Sequence, residues 1–400
     1  MILELKIKNF LSFKDEVTFS FEATRDKSFE EYQVVEVAPN VRILRLAVVY
    51  GANASGKSNL IETFEFLRYF WFGMPESKDT STWVVPFLLD RDTPQKPSEF
   101  SLTFYVDGVK HLYSIELDTK KVISEKLFMY PGTQPALIFD RKLNEGVSEI
   151  VFNSKRIKIS QTAKDEITIK CLANMSVLAA YNQVNVVIPE LENVISWIKS
   201  QYFFSIRSNT RLEKPAEDAI SKDKPAKDFI LNFLQQADYN ITGINTEIID
   251  VENTKRLKME FEHRIVNKEN KEEFYKLSKQ HQSNGTLRTF GLASVLYEAI
   301  EKNAFLAIDE IESSLHPRLV TFLIEDFLKH KGQSQLLLTT HYDGLLEEDD
   351  LLRKDSTWFT NKKNNGSTEV YSLADFKGVS RISSLQKAYK YGKFGAIPNI

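Results

Sequence analysis

The sequence of 400 residues contains one cysteine, Cys171, and no long apolar run. A single cysteine excludes a disulfide framework within the chain and a zinc site built from cysteines. No stretch of about 18 or more apolar residues occurs, so we expect no transmembrane helix and no membrane partner. The opening segment MILELKIKNF lacks the apolar core of a signal peptide. These absences predict a cytoplasmic protein.

The chain also lacks a strong excess of charge of either sign. Its 52 basic and 55 acidic residues give a formal net charge of −3, which excludes a global attraction to nucleic acid or to an anionic membrane. A composition of 42% hydrophobic and 27% charged residues is typical of a globular protein. The central region has no sustained heptads, which disfavours a long coiled-coil arm.

A strand, a glycine-rich turn and a helix are predicted in succession in the N-terminal region. Residues Ile43–Tyr50 form a nearly continuous apolar run, which predicts a strand buried on both faces. The turn GANASGKSN follows directly, and Leu60–Leu67 has the apolar spacing of a helix. Phosphate-binding loops occur in this context.

The remaining pattern predicts a mixture of sheets and helices. Alternation from Phe100 to Arg141 predicts an antiparallel meander with turns at Asp107-Gly108 and Pro131-Gly132. Helical patterns dominate Ser160–Asp238, with an exposed loop expected over Lys214–Lys227. Downstream we predict strands at Ile241–Ile249, Arg256–Val266, Ala304–Ile308 and Gln335–Thr340, helices at Leu287–Ile300 and Arg318–Lys329, a polar connection over Asn267–Asn284, and an edge hairpin across Asn364-Asn365-Gly366.

The first chemical motif is Gly51–Ser58, which matches G-x-x-x-x-G-K-[ST] at every fixed position. Its glycines let backbone N–H groups point at a phosphate, and the following helix adds its positive dipole end. Lys57 would contact the β and γ phosphates, and Ser58 would contact Mg²⁺. The flanking strand and helix disfavour a chance glycine turn. The candidate nucleotide-binding residues here are Gly51, Asn53, Ala54, Ser55, Gly56, Lys57, Ser58 and Asn59.

The second motif is the predicted strand Ala304–Ile308 followed by two acids, Asp309 and Glu310. Open α/β sheets bind ligands at the carboxyl ends of their strands. Asp309 would hold Mg²⁺, and Glu310 would orient or deprotonate the attacking water. The alternative is a solvated acidic turn, which the upstream motif disfavours.

The third motif is His341, just past a second buried strand, where a histidine can hydrogen-bond a γ-phosphate. The alternative is an ordinary surface histidine. The fourth is the segment QSNGT, in which Ser283 and the backbone at Gly285 could bind an anion at the start of a helix. For this segment a plain N-cap is the favoured reading.

In this order the four motifs resemble the ABC-type ATPases, in the branch that contains SMC, RecF-like and OLD-type proteins. The segment Ile7–Phe13 is similar to that branch's first strand and turn, Asp309–Pro317 to its Walker B motif and D-loop, and His341 to its switch histidine. Ser283 and Gly285 match the signature loop, although QSNGT departs from the usual LSGGQ. The tail, GSTEVYSL followed by YGKFGAIP, is similar to the RloA/AbiLi-like family of bacterial ATPases, which are associated with phage defence and encoded beside a partner, RloB.

The resemblance implies an α/β fold, with an ABC-type P-loop NTPase core, an antiparallel β subdomain and an inserted helical subdomain. It divides the chain into an N-terminal ATPase lobe (1–159), a helical insert (160–240) and a C-terminal ATPase lobe (241–400). It implies ATP and Mg²⁺ as cofactors. Catalysis would fall to Glu310, Lys57 and His341 in a homodimer or higher oligomer, in which the signature loop of one protomer completes the site of the other. It further implies an ATP-dependent switch in abortive infection that controls an RloB-like effector.

Three other functions are alternatives to this one. A nuclease of the OLD type needs a further metal-binding domain, and only 59 residues follow His341. A transporter ATPase is disfavoured by the large insert between the motifs. A RecF/SMC-like role in DNA repair or maintenance stays open, because a fold does not distinguish it from defence.

Three further assignments stay open. Nucleic acid could contact the basic residues of the insert, although interleaved acids favour a solvated surface. The basic residues concerned are Arg207, Arg211, Lys214, Lys222, Lys224 and Lys227. The glutamine that senses Mg²⁺ in this class could be Gln134 or Gln183. The tail from Tyr389 to Ile400 could pack on the core or bind a partner.

Overall fold

The computed structural model describes residues 1–237, 240–251, 254–348 and 350–397. The chain forms two compact units. The first comprises Met1–Ile206, Ala304–Glu310 and Lys331–Ile400, and the second comprises Arg207–Asn303 and Ile311–His330. Helices from within residues 160–240 fall in both units, and the division into three segments expected from the sequence stays a prediction. Within the described ranges, no helix combines the length and apolar character that a membrane span requires.

The strands of the described chain are numbered in chain order. They are β1 (Ile2–Lys8), β2 (Val17–Ser20), β3 (Val34–Ala38), β4 (Val41–Leu44), β5 (Leu46–Tyr50), β6 (Ser98–Val106), β7 (Val109–Leu117), β8 (Val122–Tyr130), β9 (Ala136–Asn144), β10 (Val147–Phe152), β11 (Ile241–Val251), β12 (Thr254–Val266), β13 (Glu272–Ser278), β14 (Phe305–Ile308), β15 (Gln335–Thr339), β16 (Thr357–Lys362) and β17 (Thr368–Ser372).

The α-helices are numbered in the same way. They are α1 (Glu30–Gln33), α2 (Lys57–Phe72), α3 (Gln161–Lys170), α4 (Val177–Tyr181), α5 (Pro189–Gln201), α6 (Glu213–Lys222), α7 (Lys224–Gln236), α8 (Asn284–Glu301), α9 (Pro317–Lys329) and α10 (Leu385–Lys390).

The sheet that positions the site has the strand order β14-β15-β5-β16-β17. All five residues of β5 are buried, and this strand pairs in parallel with β15 on one side and β16 on the other. β14 pairs in parallel with β15, and only β17 runs antiparallel. The carboxyl ends of four strands therefore meet at one edge of the sheet, where open α/β sheets bind ligands. The predicted α/β class is confirmed.

A seven-stranded antiparallel sheet, ordered β10-β9-β8-β7-β6-β1-β2, completes the strand framework of the first unit together with the small β3-β4 ladder. The predicted meander is confirmed, and it extends by one strand beyond Arg141 to β10. Asp107 and Gly108 connect β6 to β7 with φ angles of 48° and 77°. Two positive φ angles in a two-residue loop are typical of a type I′ turn, which matches the twist of a hairpin.

The predicted strand Ile43–Tyr50 is wrong in one respect, because the structure divides it into β4 and β5 at Arg45. β4 pairs with β3, whereas β5 enters the parallel sheet. The Arg45 side chain is 2% exposed and donates to the carbonyl of Tyr32 and the hydroxyl of Ser334, both at 3.1 Å. The backbone of Arg45 changes partner at this point, because its N–H donates to the carbonyl of Gln33 at 2.8 Å and its carbonyl accepts from the N–H of Leu336 at 2.7 Å.

The exposed loop expected over Lys214–Lys227 is also wrong, because α6 and α7 occupy it. Ala216 and Ile220 lie four residues apart and are both buried, which is the spacing of one helix face. Of the interleaved charges that suggested a loop, Lys214 and Asp218 form an exposed i,i+4 ion pair of 2.9 Å, whereas Glu217 is buried and pairs with Lys279 at 2.5 Å.

The second unit joins these helices to a three-stranded sheet ordered β11-β12-β13. Helix α8 packs against α6 and α7, and Phe290 on α8 meets Phe261 on β12 edge to face, with ring centroids 5.5 Å apart. The polar connection expected over Asn267–Asn284 is partly wrong, because it contains β13. The residues of β13 are mostly exposed, so they lack the alternation of a half-buried strand.

A buried ion pair links the meander to the helices of the first unit. Glu125 on β8 and Arg141 on β9 are both fully buried, with Arg141 Nη1 3.3 Å from Glu125 Oε2. Glu125 also accepts from the hydroxyl of Tyr113 and the backbone N–H of Val177, at 3.0 and 2.9 Å. Arg141 donates to several backbone carbonyls between α3 and α4, including that of Leu172 at 3.0 Å. The buried charges of Glu125 and Arg141 are therefore compensated by each other together with these hydrogen bonds.

We predict that Arg141→Met lowers the free energy of unfolding by about 3–5 kcal/mol, because it leaves the Glu125 carboxyl buried without its ion-pair partner. The matched control is Lys126→Met, which removes a more exposed pair with Asp140 (3.7 Å) on the same two strands and should cost at most about 1 kcal/mol. Urea unfolding followed by circular dichroism measures both. Equal losses in the two variants would contradict the importance of burial here.

Candidate nucleotide-binding site

The site lies at the carboxyl edge of the parallel sheet. β5 ends at Tyr50 and leads into the loop before α2, and β14 ends at Ile308 before Asp309 and Glu310. β15 ends at Thr339, two residues before His341. Three of the four sequence motifs therefore converge in the first unit, as expected from the alternation of strands and helices.

The loop before α2 has the conformation of a phosphate-binding loop. Gly56 is the N-cap of α2, with a φ of 107°, and Ala54 also has a positive φ of 58°. Lys57 is only 5% exposed, and its Nζ donates to the carbonyls of Gly51 (2.9 Å) and Ala52 (3.1 Å). These bonds hold the cation against its own loop, beside the helix N-terminus where an anion is stabilised.

The loop passes so close to β16 that only glycine fits at position 51. A Cβ there would lie 2.5 Å from both Ser55 Oγ and Thr360 Oγ1. Those two hydroxyls share a hydrogen bond of 2.6 Å, which ties the loop to β16. Any larger residue would separate the loop from its neighbouring strand.

Three residues that were not predicted from the sequence hold the phosphate-binding loop through hydrogen bonds. They are Ser12, Thr360 and Thr368. The Thr368 hydroxyl donates to the carbonyl of Ser55 and also contacts Ser12 Oγ, both at 2.8 Å. Asn59 Nδ2 donates to Ser12 Oγ at 2.7 Å. Ser12 lies in the segment that resembles the family's first strand and turn, which was the available signal. Nothing in the sequence around Thr360 or Thr368 indicated their role.

One hydroxyl orders both acids at the end of β14. Thr339 Oγ1 donates to Asp309 Oδ1 at 2.5 Å and accepts from the backbone N–H of Glu310 at 2.8 Å. Asp309 is 9% exposed, whereas the Glu310 side chain is 44% exposed. Glu310 has a positive φ of 50°, an unfavourable backbone for a residue with a side chain. At this backbone bend the Asp309 carboxylate is buried and fixed by Thr339, whereas the Glu310 carboxylate is accessible.

His341 lies between the loop lysine and the accessible carboxylate. Its Nδ1 is 3.4 Å from Lys57 Nζ, and its Nε2 is 4.0 Å from Glu310 Oε1. A phosphate held by Lys57 would therefore lie within reach of a ring nitrogen of His341. The ring can donate to or accept from such a group according to its tautomer.

A cavity of about 630 Å³ opens beside the loop. Its lining includes residues 53–59, Glu310 and His341, and also Leu11 and residues 85–89. Leu88 and Leu89 are 64% and 66% exposed. The cavity thus combines a phosphate-binding wall with an apolar wall, which is the arrangement of a small-molecule site. The apolar wall carried no signal in the sequence.

The residues present suit Mg²⁺. In nucleotide sites this ion takes one or two protein oxygens, and phosphates and water complete its octahedron. Asp309 supplies a carboxylate fixed by Thr339, and Ser58 supplies a hydroxyl that lines the cavity. Among the described residues no group of three metal-ligating acids, histidines or cysteines occurs, so the protein alone offers no complete cage.

The fourth motif behaves as a helix N-cap in this structure. Ser283 caps α8, and its Oγ accepts from the backbone N–H of Thr286 at 3.0 Å. Gly285 lies in the first turn of the same helix. Neither Gln134 nor Gln183 is among the residues that line the cavity.

The tail packs on the first unit over its described part. The ring of Phe394 is 2% exposed and stacks on Phe359 of β16, with centroids 5.5 Å apart. The Tyr371 hydroxyl donates to the carbonyl of Phe394 at 2.7 Å. Of the two alternatives for the tail, packing on the core is confirmed as far as residue 397. Pro398–Ile400 lie outside the described residues.

Comparison with known proteins identifies the family. The model of the family described as "AAA domain, putative AbiEii toxin, Type IV TA system" matches residues 46–347, which is more than half of the chain. The chain belongs to this AAA-domain family. It is therefore a P-loop ATPase domain by family, and the matched range includes the loop, both acids and His341. No curated protein matches the sequence.

Solved structures similar to this AAA-domain protein include SMC heads. The SMC head domain from Thermotoga maritima has 15% identity and a TM-score of 0.42, covering 93% of this chain and 98% of that one. An SMC head bound to the C-terminal winged-helix domain of ScpA has 16% identity and a TM-score of 0.44, covering 97% and 99%. An SMC head with an extended coiled coil from Pyrococcus furiosus, bound to the C-terminal domain of ScpA, has 14% identity and a TM-score of 0.42, covering 98% of both chains.

We predict that Thr339→Val weakens Mg²⁺-nucleotide binding about tenfold or more, equivalent to ~1.4 kcal/mol. The valine removes the donor to Asp309 and leaves the N–H of Glu310 without its acceptor. Thr339→Ser is the matched control, because it keeps the hydroxyl and loses one methyl group. Calorimetric titration of a non-hydrolysable nucleotide with and without Mg²⁺ measures this. Equal affinities for the valine and serine variants would contradict the bridging role.

Proposed function

We propose that this protein is an ATP-dependent switch in a bacterial anti-phage system of the abortive-infection kind, acting on a separate RloB-like effector. The observation that carries the ATPase part is the placement of His341 between Lys57 and Glu310 at the edge of the sheet. The family description includes the words "putative AbiEii toxin, Type IV TA system", and the tail resembles the RloA/AbiLi-like family. Both support a role in defence.

The residues divide the reaction among themselves. Lys57 neutralises the β and γ phosphates once the phosphates replace the carbonyls of Gly51 and Ala52 as its partners. Glu310 orients the attacking water and accepts its proton. His341 donates to a γ-phosphate oxygen and so reports whether that phosphate is present. Mg²⁺, held by Ser58 and Asp309, would supply charge neutralisation on the phosphates.

Dimerisation through two bound ATP molecules follows from the proposed ABC-type mechanism. The signature residues Ser283 and Gly285 of one protomer would contact the γ-phosphate in the other. Binding energy from the shared nucleotides would close the dimer, and hydrolysis would open it, so the assembly could signal to the effector. A RecF/SMC-like role in DNA repair or maintenance is the second candidate, since the same switch could act on DNA.

The central test compares wild type with Lys57→Ala and Glu310→Gln. We expect Lys57→Ala to lose ATP binding at least about tenfold, because it removes the buried cation. We expect Glu310→Gln to bind ATP normally but to hydrolyse it about 10²–10⁴-fold more slowly, and to accumulate as an ATP-bound dimer. Steady-state phosphate release and light-scattering mass measure these effects.

The outcomes separate the candidates. A wild type that neither binds ATP nor changes mass with it would refute the switch. Plaque counts with phage and survival after DNA damage, in cells carrying wild type or Glu310→Gln beside the genomic neighbour, decide between the two roles. Loss of plaque protection alone supports defence, and loss of survival after DNA damage alone supports DNA maintenance.

A second prediction concerns the signature. Ser283→Asp keeps a good N-cap for α8 but places a carboxylate where the partner's γ-phosphate would lie. We expect normal ATP binding with loss of the ATP-dependent dimer and of hydrolysis. Ser283→Asn keeps both the cap and the neutral charge, so it is the matched control. If Ser283→Asp still dimerised with ATP, the signature would not lie at the shared nucleotide.

A further inference from the structure

β13 is an edge strand of its sheet within the part of the chain that the structure describes. β13 ends the order β11-β12-β13 and pairs only with β12 among the described strands. Phe274, Tyr275 and Leu277 on it are 54%, 50% and 40% exposed. Every second N–H and C=O of such an edge points away from its neighbour, so a further strand can pair there.

The sequence of this edge is complementary to itself. When two copies of EEFYKLS run antiparallel with Phe274 opposite Phe274, Glu272 lies opposite Lys276 and Glu273 lies opposite Tyr275. Directly opposite residues share a face, and opposite charges there are favourable. Tyr275 already donates to Glu273 within one chain at 2.6 Å, so the two side chains suit each other. Within Glu272–Lys276 each opposed pair is then either polar and complementary or aromatic, and beyond them Leu277 lies opposite Lys271.

The neighbouring registers are worse. Moving the centre to Glu273 places that carboxylate opposite its own copy, and like charges directly opposite each other are destabilising. Moving the centre to Tyr275 places Glu273 opposite Leu277 and Phe274 opposite Lys276. The charges of Glu273 and Lys276 then each face an apolar side chain. The pattern therefore favours one register, centred on Phe274.

We propose that β13 pairs with β13 of a second copy of this chain, forming a continuous six-stranded antiparallel sheet across a two-fold axis. A two-fold interface requires a patch that is complementary to itself, and this strand meets that requirement. Charges on an exposed edge often prevent pairing, but here they select the partner, because each meets the opposite sign or a hydroxyl. The ion pair of Glu272 with Arg264 (3.2 Å) is exposed and leaves the carboxylate accessible to Lys276 of the partner.

This interface does not use the nucleotide. It should therefore exist in EDTA without ATP, unlike the dimer proposed above, and its failure would leave the ATPase proposal untouched. The single native cysteine, Cys171, is buried, so an introduced cysteine can be followed alone.

The first experiment measures the mass of the nucleotide-free chain by sedimentation equilibrium. We expect a dimer of the 46.1 kDa chain at micromolar concentration. Glu272→Lys and Lys276→Glu should each raise the dimer dissociation constant at least about tenfold, and the double variant should restore it. All substituted positions are exposed, so unchanged melting temperatures are expected. A monomeric wild type, or a double variant as weak as the single ones, would overturn the proposal.

The second experiment tests the register. Phe274→Cys lies on the proposed two-fold axis and should form a disulfide-linked dimer on mild oxidation, since directly opposed Cβ atoms come close enough for a disulfide. Lys276→Cys is the matched control, because it faces Glu272 and not its own copy. Crosslinking of Lys276→Cys equal to that of Phe274→Cys would rule out the register centred on Phe274.

Discussion

The parallel pairing of β5 with β15 and β16 is the constraint on which the site depends. It places Val49 beside Thr339 and Tyr50 beside Phe359, although the paired residues are about 290 and 310 positions apart in the chain. Side chains alternate between the two faces of a strand, so a slip of one residue in β15 would turn Thr339 away from Asp309 and Glu310. Buried polar side chains of β15 oppose such a slip, because it would break the hydrogen bonds of Gln335 to the backbone of Ile2 and Leu44 and those of Thr339 to Asp309 and Glu310. Packing and register therefore fix the geometry of the candidate site before any ligand binds.

The sequence predicted those parts of the site that carry local signals. Two patterns can be recognised without knowledge of the fold. One is a glycine-rich turn between a strand and a helix, and the other is a pair of acids after an apolar run. The polar support from Thr360, Thr368 and Ser12 has no such pattern, because it depends on strands that meet only after long connections. The same limit explains the errors in the fold. At Arg45 the apolar run continued through a break that only its buried partners reveal, and α6 was hidden because charges surround its few buried residues.

Lys57, His341 and Glu310 are each held in place by different contacts, and this affects how a phosphate binds. Lys57 has carbonyl partners in its own loop, so an incoming phosphate exchanges one set of acceptors for another and does not create a new buried charge. Glu310 is directed by its backbone, and His341 by the end of β15, so neither depends on the nucleotide for its position. Sites organised in this way lose little free energy in rearrangement when the transition state forms.

Two different two-fold interfaces on one chain would have a further consequence. A protomer that pairs through β13 without nucleotide and through its ATP sites with nucleotide can join preformed dimers to one another when ATP binds. Such assembly ends in a closed ring if the rotations match, and otherwise grows as an open chain. Effective concentration would then favour the ATP contact within a closed assembly far more than between separate monomers. The strand edge would thereby set the ATP level at which the switch closes, without any contact to the nucleotide itself.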